Sequence, residues 1–258
     1  MTASTDPTAP PPIDSTELAR IKNVYDDLCY HADKQKVNLK LKPALTRLTL
    51  LNSREMQDED EETKRKEIEL LEFDIANWKL DLQEICARDN QVIRAQDVAA
   101  SLRRLEHKAS KSQVYEMIWE ADEKLDEVVD WEELCLNFQR NIHDASGLEP
   151  ANFYNMVQFM IFDHNMNNRV SRDETMNMLF RRYGRKEMEK KLDLLFGDLG
   201  EEAGKEGGEI DFATYIGCVE KTQYELFQKS ELGQAILAKG QRKVDHNSAK
   251  GKAAAKRK

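Results

Sequence analysis

Residues 163–174, DHNMNNRVSRDE, place oxygen-bearing side chains at regular intervals within a short polar segment. A hard cation such as Ca²⁺ takes about six to eight oxygen ligands, and a twelve-residue loop supplies them from positions 1, 3, 5, 7, 9 and 12. The segment offers an aspartate, two amides, a backbone carbonyl, a hydroxyl and a closing glutamate at these positions. In order, the predicted ligands are Asp163, Asn165, Asn167, Arg169 (through its carbonyl oxygen), Ser171 and Glu174.

This segment departs from an ideal calcium loop in its turn and in its charge. Position 6 needs a positive φ and usually holds glycine, but here it holds Asn168, the best substitute in that conformation. Only Asp163 and Glu174 are anionic ligands, and Arg169 and Arg172 lie within the loop. We therefore predict weak binding, with a dissociation constant on the order of 10⁻⁵ to 10⁻³ M, and a folded but empty loop as the alternative.

Residues 122–133, DEKLDEVVDWEE, form a second segment of the same length. Its acidic residues stand at positions 1, 5, 9 and 12, which are Asp122, Asp126, Asp130 and Glu133. However, Lys124 stands at a ligand position and Glu127 replaces the turn glycine. An ammonium group among the ligands repels a cation more than the additional carboxylates attract it, unless Lys124 turns outward. The segment is predicted to be structural rather than calcium-binding.

Two more segments complete the series. Residues 86–97 carry a cysteine and two arginines at ligand positions, namely Cys86, Arg88 and Arg94. Residues 198–214 exceed twelve by about five, and Thr214 stands where a glutamate should close the loop. Both segments are predicted to fold without calcium.

Helices must position these four segments. From about residue 64, stretches with helical apolar periodicity alternate with the polar segments. Each polar segment contains an isoleucine or valine before the next helix, and these recur at intervals of 36, 41 and 40 residues: Ile93, Val129, Val170 and Ile210. This is the period of helix–loop–helix units, and we expect short strand pairings of Ile93 with Val129 and of Val170 with Ile210.

By these ligand, turn and strand positions, residues 64–225 resemble a calmodulin-type protein with four EF-hands. The stretch EMIWEAD, residues 116–122, is especially similar to the helix that enters a calmodulin loop. The resemblance implies an all-α fold with two pairs of EF-hand units, short β pairings between loops, an N-terminal helical extension and a basic disordered tail. The degenerate loops and the tail also make the chain similar to EF-hand proteins of ciliary and flagellar axonemes.

The predicted organisation has five parts. They are a disordered N-terminus (1–14), a helical extension with an acidic linker (15–63), a degenerate first pair (64–142), a second pair with one calcium site (143–225), and a C-terminal helix with a basic tail (226–258). Within the extension, residues 15–55 have a helix–polar–helix pattern that could be a further degenerate hand. Pro43 suits the first turn of its second helix.

Charge and composition exclude several functions. The net charge is −9, yet the tail from Lys239 carries eight Lys/Arg against one Asp, which argues against specific nucleic-acid binding by the folded part. Apolar runs are shorter than the roughly 18–20 residues of a membrane span. Four dispersed cysteines favour a reducing compartment, hence the cytoplasm. The chain shows no catalytic motif, so we predict a non-enzymatic protein.

We therefore predict a calcium-binding structural adaptor of a ciliary or flagellar microtubule assembly, with protein partners such as tubulin or an axonemal complex. The alternative is a calcium-responsive sensor that binds a partner helix through its second lobe. The helices around 163–174 are rich in Met and Phe, which are predicted to form core and, in the sensor, to line a groove.

Overall fold

The computed structural model describes residues 13–53, 61–144, 146–197, 208–237 and 239. The helices are α1 (Ser15–Leu28), α2 (His31–Asn52), α3 (Glu61–Cys86), α4 (Ala95–Arg104), α5 (Lys111–Trp119), α6 (Trp131–His143), α7 (Asn152–Phe162), α8 (Arg172–Phe196) and α9 (Phe212–Lys229). The strands are β1 (Ile93–Arg94), β2 (Val128–Val129), β3 (Arg169–Ser171) and β4 (Glu209–Asp211). Residues 231–237 are also helical. The predicted mainly helical architecture is confirmed.

The chain divides into two compact units. We call Lys22–Leu134 the α3 unit, and Met1–Ile21 together with Cys135–Lys258 the α8 unit. Several predicted segments fall outside the described residues: the N-terminal residues 1–12, the acidic residues 54–60, most of the long fourth loop (198–207) and the basic tail from residue 240. Within the described residues, no helix combines the length and the apolar character that crossing a membrane requires.

Each unit contains one short antiparallel strand pair, in the predicted register. Ile93 lies opposite Val129 in the α3 unit, and Val170 lies opposite Ile210 in the α8 unit. All four side chains are buried. A β-branched side chain packs well on such a half-buried strand, so each pair ties two loops together while it contributes to the core.

The start of α2 differs from its prediction. Pro43 lies inside α2 rather than in its first turn, and the helix begins at His31. An internal proline removes an N–H and costs about 3 kcal/mol. Residues on one face of α2 offset that cost by packing against α3, namely Leu41, Ala44 and Leu48 against Leu71, Ile75, Trp78 and Leu82.

Residues 15–53 form a helix–turn–helix without a twelve-residue loop. Only Cys29 and Tyr30 separate α1 from α2, and Tyr30 adopts a left-handed conformation with φ 56°. A tight reversal of this kind leaves no room for a ring of ligands. The interpretation of this segment as a further degenerate hand is therefore wrong.

The α8 unit is built around α7, which is buried on nearly all sides. The Met and Phe residues predicted as core on this helix are all buried: Phe153, Met156, Phe159, Met160 and Phe162. On α8 the outcome is mixed, because Met178 and Leu179 are buried whereas Met176 and Phe180 are exposed. Helix α8 is broken at Gly184, whose φ of 70° and ψ of 174° suit glycine and divide the helix into two parts.

Candidate metal centres

The predicted calcium loop wraps around its first residue. The buried carboxylate of Asp163 follows α7, and its two oxygens accept hydrogen bonds from the N–H groups of Asn167 at 3.0 Å and Asn168 at 2.9 Å. The side-chain oxygen of Asn165 also accepts from the Asn167 N–H at 2.9 Å, and that of Asn167 accepts from the Arg169 N–H at 2.8 Å. Three predicted ligands thus share one small turn.

The conformation at position 6 is as predicted. Asn168 has a φ of 63°, within the left-handed region, and Met166 at position 4 has a φ of 57°. Asparagine tolerates this conformation better than other non-glycine residues, which explains how the loop forms without glycine.

The closing glutamate is held by the N-terminus of α8. The Glu174 Oε2 atom accepts hydrogen bonds from the Ser171 N–H at 2.9 Å and from the Ser171 hydroxyl at 2.8 Å. In return, the Glu174 N–H donates to Ser171 Oγ at 3.3 Å. This reciprocal capping box brings predicted positions 9 and 12 together and fixes the direction in which α8 leaves the loop.

The loop 122–133 repeats the same backbone pattern in the α3 unit. The Asp122 carboxylate accepts from the N–H groups of Asp126 at 3.2 Å and Glu127 at 2.9 Å. At the other end, Glu133 accepts from the Asp130 N–H at 2.9 Å. Glu127 adopts a φ of 65° although it lacks the tolerance of glycine or asparagine. The hydrogen bonds of positions 1, 5, 6, 9 and 12 match those of residues 163–174, but at position 3 the Lys124 N–H donates to Glu133 at 3.0 Å.

Three carboxylates converge in this second loop. One oxygen each of Asp122, Asp126 and Glu133 lies within 4.8 Å of the others. Lys124 does not point among them; its ammonium forms an ion pair with Asp130, and half of its side chain is exposed. Burial acts to raise the pKa of Asp130, but hydrogen bonds from Lys124 and from the Glu133 backbone lower it overall. Lys124 therefore pairs with the carboxylate at position 9, while the other three acidic residues converge without it.

In the loop 86–97, the closing carboxylate forms an ion pair with an arginine side chain. Asp97 is fully buried and accepts hydrogen bonds from Arg94 Nε at 2.8 Å and from the Ala32 N–H at 2.9 Å. A second nitrogen of the Arg94 guanidinium donates to Asp33 at 3.0 Å. A fixed guanidinium thus compensates the charge that a metal ion would otherwise neutralise.

The turn between α1 and α2 also covers this first loop. The hydroxyls of Tyr25 and Tyr30 donate to the backbone carbonyls of Gln91 and Asn90. Two guanidinium groups lie close to the centroid of the Tyr30 ring, that of Arg88 at 4.5 Å and that of Arg94 at 4.4 Å. Sequence reasoning missed Tyr30 and Asp33, although two arginines at ligand positions do indicate that anionic or aromatic groups must face them.

Acid is expected to weaken the α3 unit at Asp33. Burial acts to raise the pKa of Asp33, but hydrogen bonds from Arg94 and Lys36 outweigh it, so the pKa lies below its usual 3.8. The associated stabilisation is complete above the unfolded-state pKa and is lost as pH falls through the folded-state pKa. Asp33→Asn should therefore flatten the decline in thermal midpoint between about pH 5 and pH 2. An unchanged acid dependence in this variant would contradict the assignment.

Comparison of the chain with protein-family models and with curated proteins finds no match in either. The function proposed below therefore rests on the geometry of the loops themselves.

Proposed function

We propose that the protein is a non-enzymatic EF-hand protein that binds Ca²⁺ weakly at residues 163–174 and serves as a structural adaptor. One observation carries the proposal. In two loops, 41 residues apart, the carboxylate at position 1 accepts the N–H groups of positions 5 and 6, and position 6 has a positive φ. This is the arrangement that a loop needs to direct its oxygens towards one hard cation.

Residues 163–174 are the preferred site because binding there would require less rearrangement than binding at 122–133. There, the ligand oxygens accept hydrogen bonds from the loop's own N–H groups. In 122–133, a cation that uses Asp130 must first break its ion pair with Lys124. The loop 122–133 has more carboxylates, so one substitution in each loop is needed to distinguish the two sites.

The alternative function, a calcium sensor, is favoured by a cavity in the α8 unit. The cavity has a volume of about 260 Å³. Its apolar lining comes from α7, α8 and α9 and includes Phe162, Met178, Leu179, Leu195, Tyr215 and Leu226. Apolar walls that include a methionine suit a partner helix. A location in the cilium or flagellum, with tubulin or an axonemal complex as partner, remains a prediction from the resemblance.

Calcium titration by calorimetry tests the proposal. We expect one site for the wild-type protein, with a dissociation constant on the order of 10⁻⁵ to 10⁻³ M. Glu174→Gln should abolish the binding heat, because glutamine retains the capping box but not the charge. The matched variant Glu133→Gln should leave the heat unchanged.

The other outcomes are equally informative. Loss of heat in Glu133→Gln alone would move the site to 122–133, and no heat at millimolar Ca²⁺ would refute calcium binding. Binding of an apolar dye that increases with Ca²⁺ would support the sensor over the adaptor.

A further inference from the structure

Helix α3 carries apolar side chains on two opposite faces. The inner face, described above, packs against α2. The outer face consists of Leu70, Phe73, Asn77 and Leu80, and we call it the outer seam. Its apolar members are largely exposed, with 66% of Leu70, 66% of Phe73 and 56% of Leu80 accessible. Large apolar residues in a continuous exposed row mark an interaction surface more often than isolated ones do.

The spacing of the outer seam is that of a helix–helix contact. Leu70, Phe73, Asn77 and Leu80 are separated by three, four and three residues, as positions a and d of a heptad are. Side chains at this spacing insert between those of a facing helix. Within α3, which is 26 residues long, the seam is central, so a partner helix could lie along it for several turns.

The charged residues beside the outer seam determine which kind of helix can pack against it. The flanking positions e and g hold four acidic residues and no basic one: Glu67, Glu69, Asp74 and Asp81, with Ala76 and Gln83. Of these, Glu67 already pairs with Arg47 of α2. A second copy of the chain would set acidic flanks against acidic flanks in either orientation, which is unfavourable. Lysine or arginine on the facing helix would instead form favourable pairs.

We propose that the outer seam docks an amphipathic helix of another protein, with an apolar stripe flanked by Lys and Arg. Asn77 lies in the middle of the seam, where a buried polar residue favours one register by pairing with a polar group opposite. This names a partner class for the adaptor function proposed above. It uses no residue of the calcium loop, so either proposal can fail alone.

A pair of synthetic peptides tests the docking surface on the full-length protein. Both have four heptads with Leu at a and d and one central Asn at a. One carries Lys at e and g, which also prevents its self-association, and the other carries Glu. In fluorescence anisotropy at low salt, we expect the Lys peptide to bind at least tenfold more tightly than the Glu peptide.

Substitutions in α3 distinguish apolar packing on the outer seam from electrostatic attraction alone. Leu70→Gln/Phe73→Gln/Leu80→Gln keeps the charge and should weaken the Lys peptide at least tenfold. The control Glu72→Gln/Lys79→Gln changes exposed residues outside both faces of α3 and should bind as the wild type does. Asp74→Lys/Asp81→Lys should reverse the preference towards the Glu peptide, and it tests the seam independently if the triple variant does not fold.

Three results would overturn the proposal. They are no binding of the Lys peptide, equal binding by the triple variant, and a wild-type dimer in sedimentation that the triple variant loses. Glu174→Gln should bind the Lys peptide normally, which distinguishes a failed calcium site from a failed docking surface.

Discussion

Replacing Phe159 with alanine is expected to lower the free energy of unfolding by about 3–5 kcal/mol. Phe159 is fully buried in α7, and its ring centroid lies 5.2 Å from that of Phe212 and 5.4 Å from that of Tyr215. The substitution removes apolar area, leaves a cavity and breaks one edge-to-face contact and one tilted aromatic contact. Urea unfolding followed by far-UV circular dichroism measures the loss.

Phe180 is the matched control for this substitution. It belongs to the same unit but is 53% exposed on α8. Phe180→Ala should therefore change stability by less than about 1 kcal/mol. Equal losses for the two variants would mean that Phe159 does not anchor the core in the described way.

Removal of one partner of a buried ion pair is expected to have a similarly large effect. Arg182 on α8 and Glu17 in the first turn of α1 are both buried, and Arg182 Nε donates to Glu17 Oε2 at 3.2 Å. Burial of the Arg182 guanidinium lowers the pKa of this side chain. Arg182→Met should cost about 3–5 kcal/mol, because it leaves an uncompensated carboxylate in a dry environment.

A double-mutant cycle isolates this effect. Glu17→Leu/Arg182→Met removes both charges and should recover most of the stability that the single variant loses. The exposed pair Arg185–Glu189, on the second part of α8, is the control, and Arg185→Met should cost less than about 1 kcal/mol. Strictly additive losses at residues 17 and 182 would argue against direct coupling of the two charges.

Local patterns in the sequence were sufficient for the loops and their strands. The pairing of Ile93 with Val129 and of Val170 with Ile210 follows from a repeated position within successive helix–loop–helix units. The positive φ of Asn168 follows from the turn that a twelve-residue loop must make. The turn depends on hydrogen bonds between residues fewer than about ten positions apart, so the sequence of the loop contains that information. The strand pairs join residues of successive loops and follow from the regular repeat of the helix–loop–helix unit.

Only the tertiary structure decided which distant residues pack against these local elements or pair with their charges. Pro43 remains inside α2 because that helix packs on α3. Arg182 meets Glu17 across 165 residues of chain. Spacing along the chain predicts which groups can share a turn, but burial and long-range packing determine which charge meets which partner.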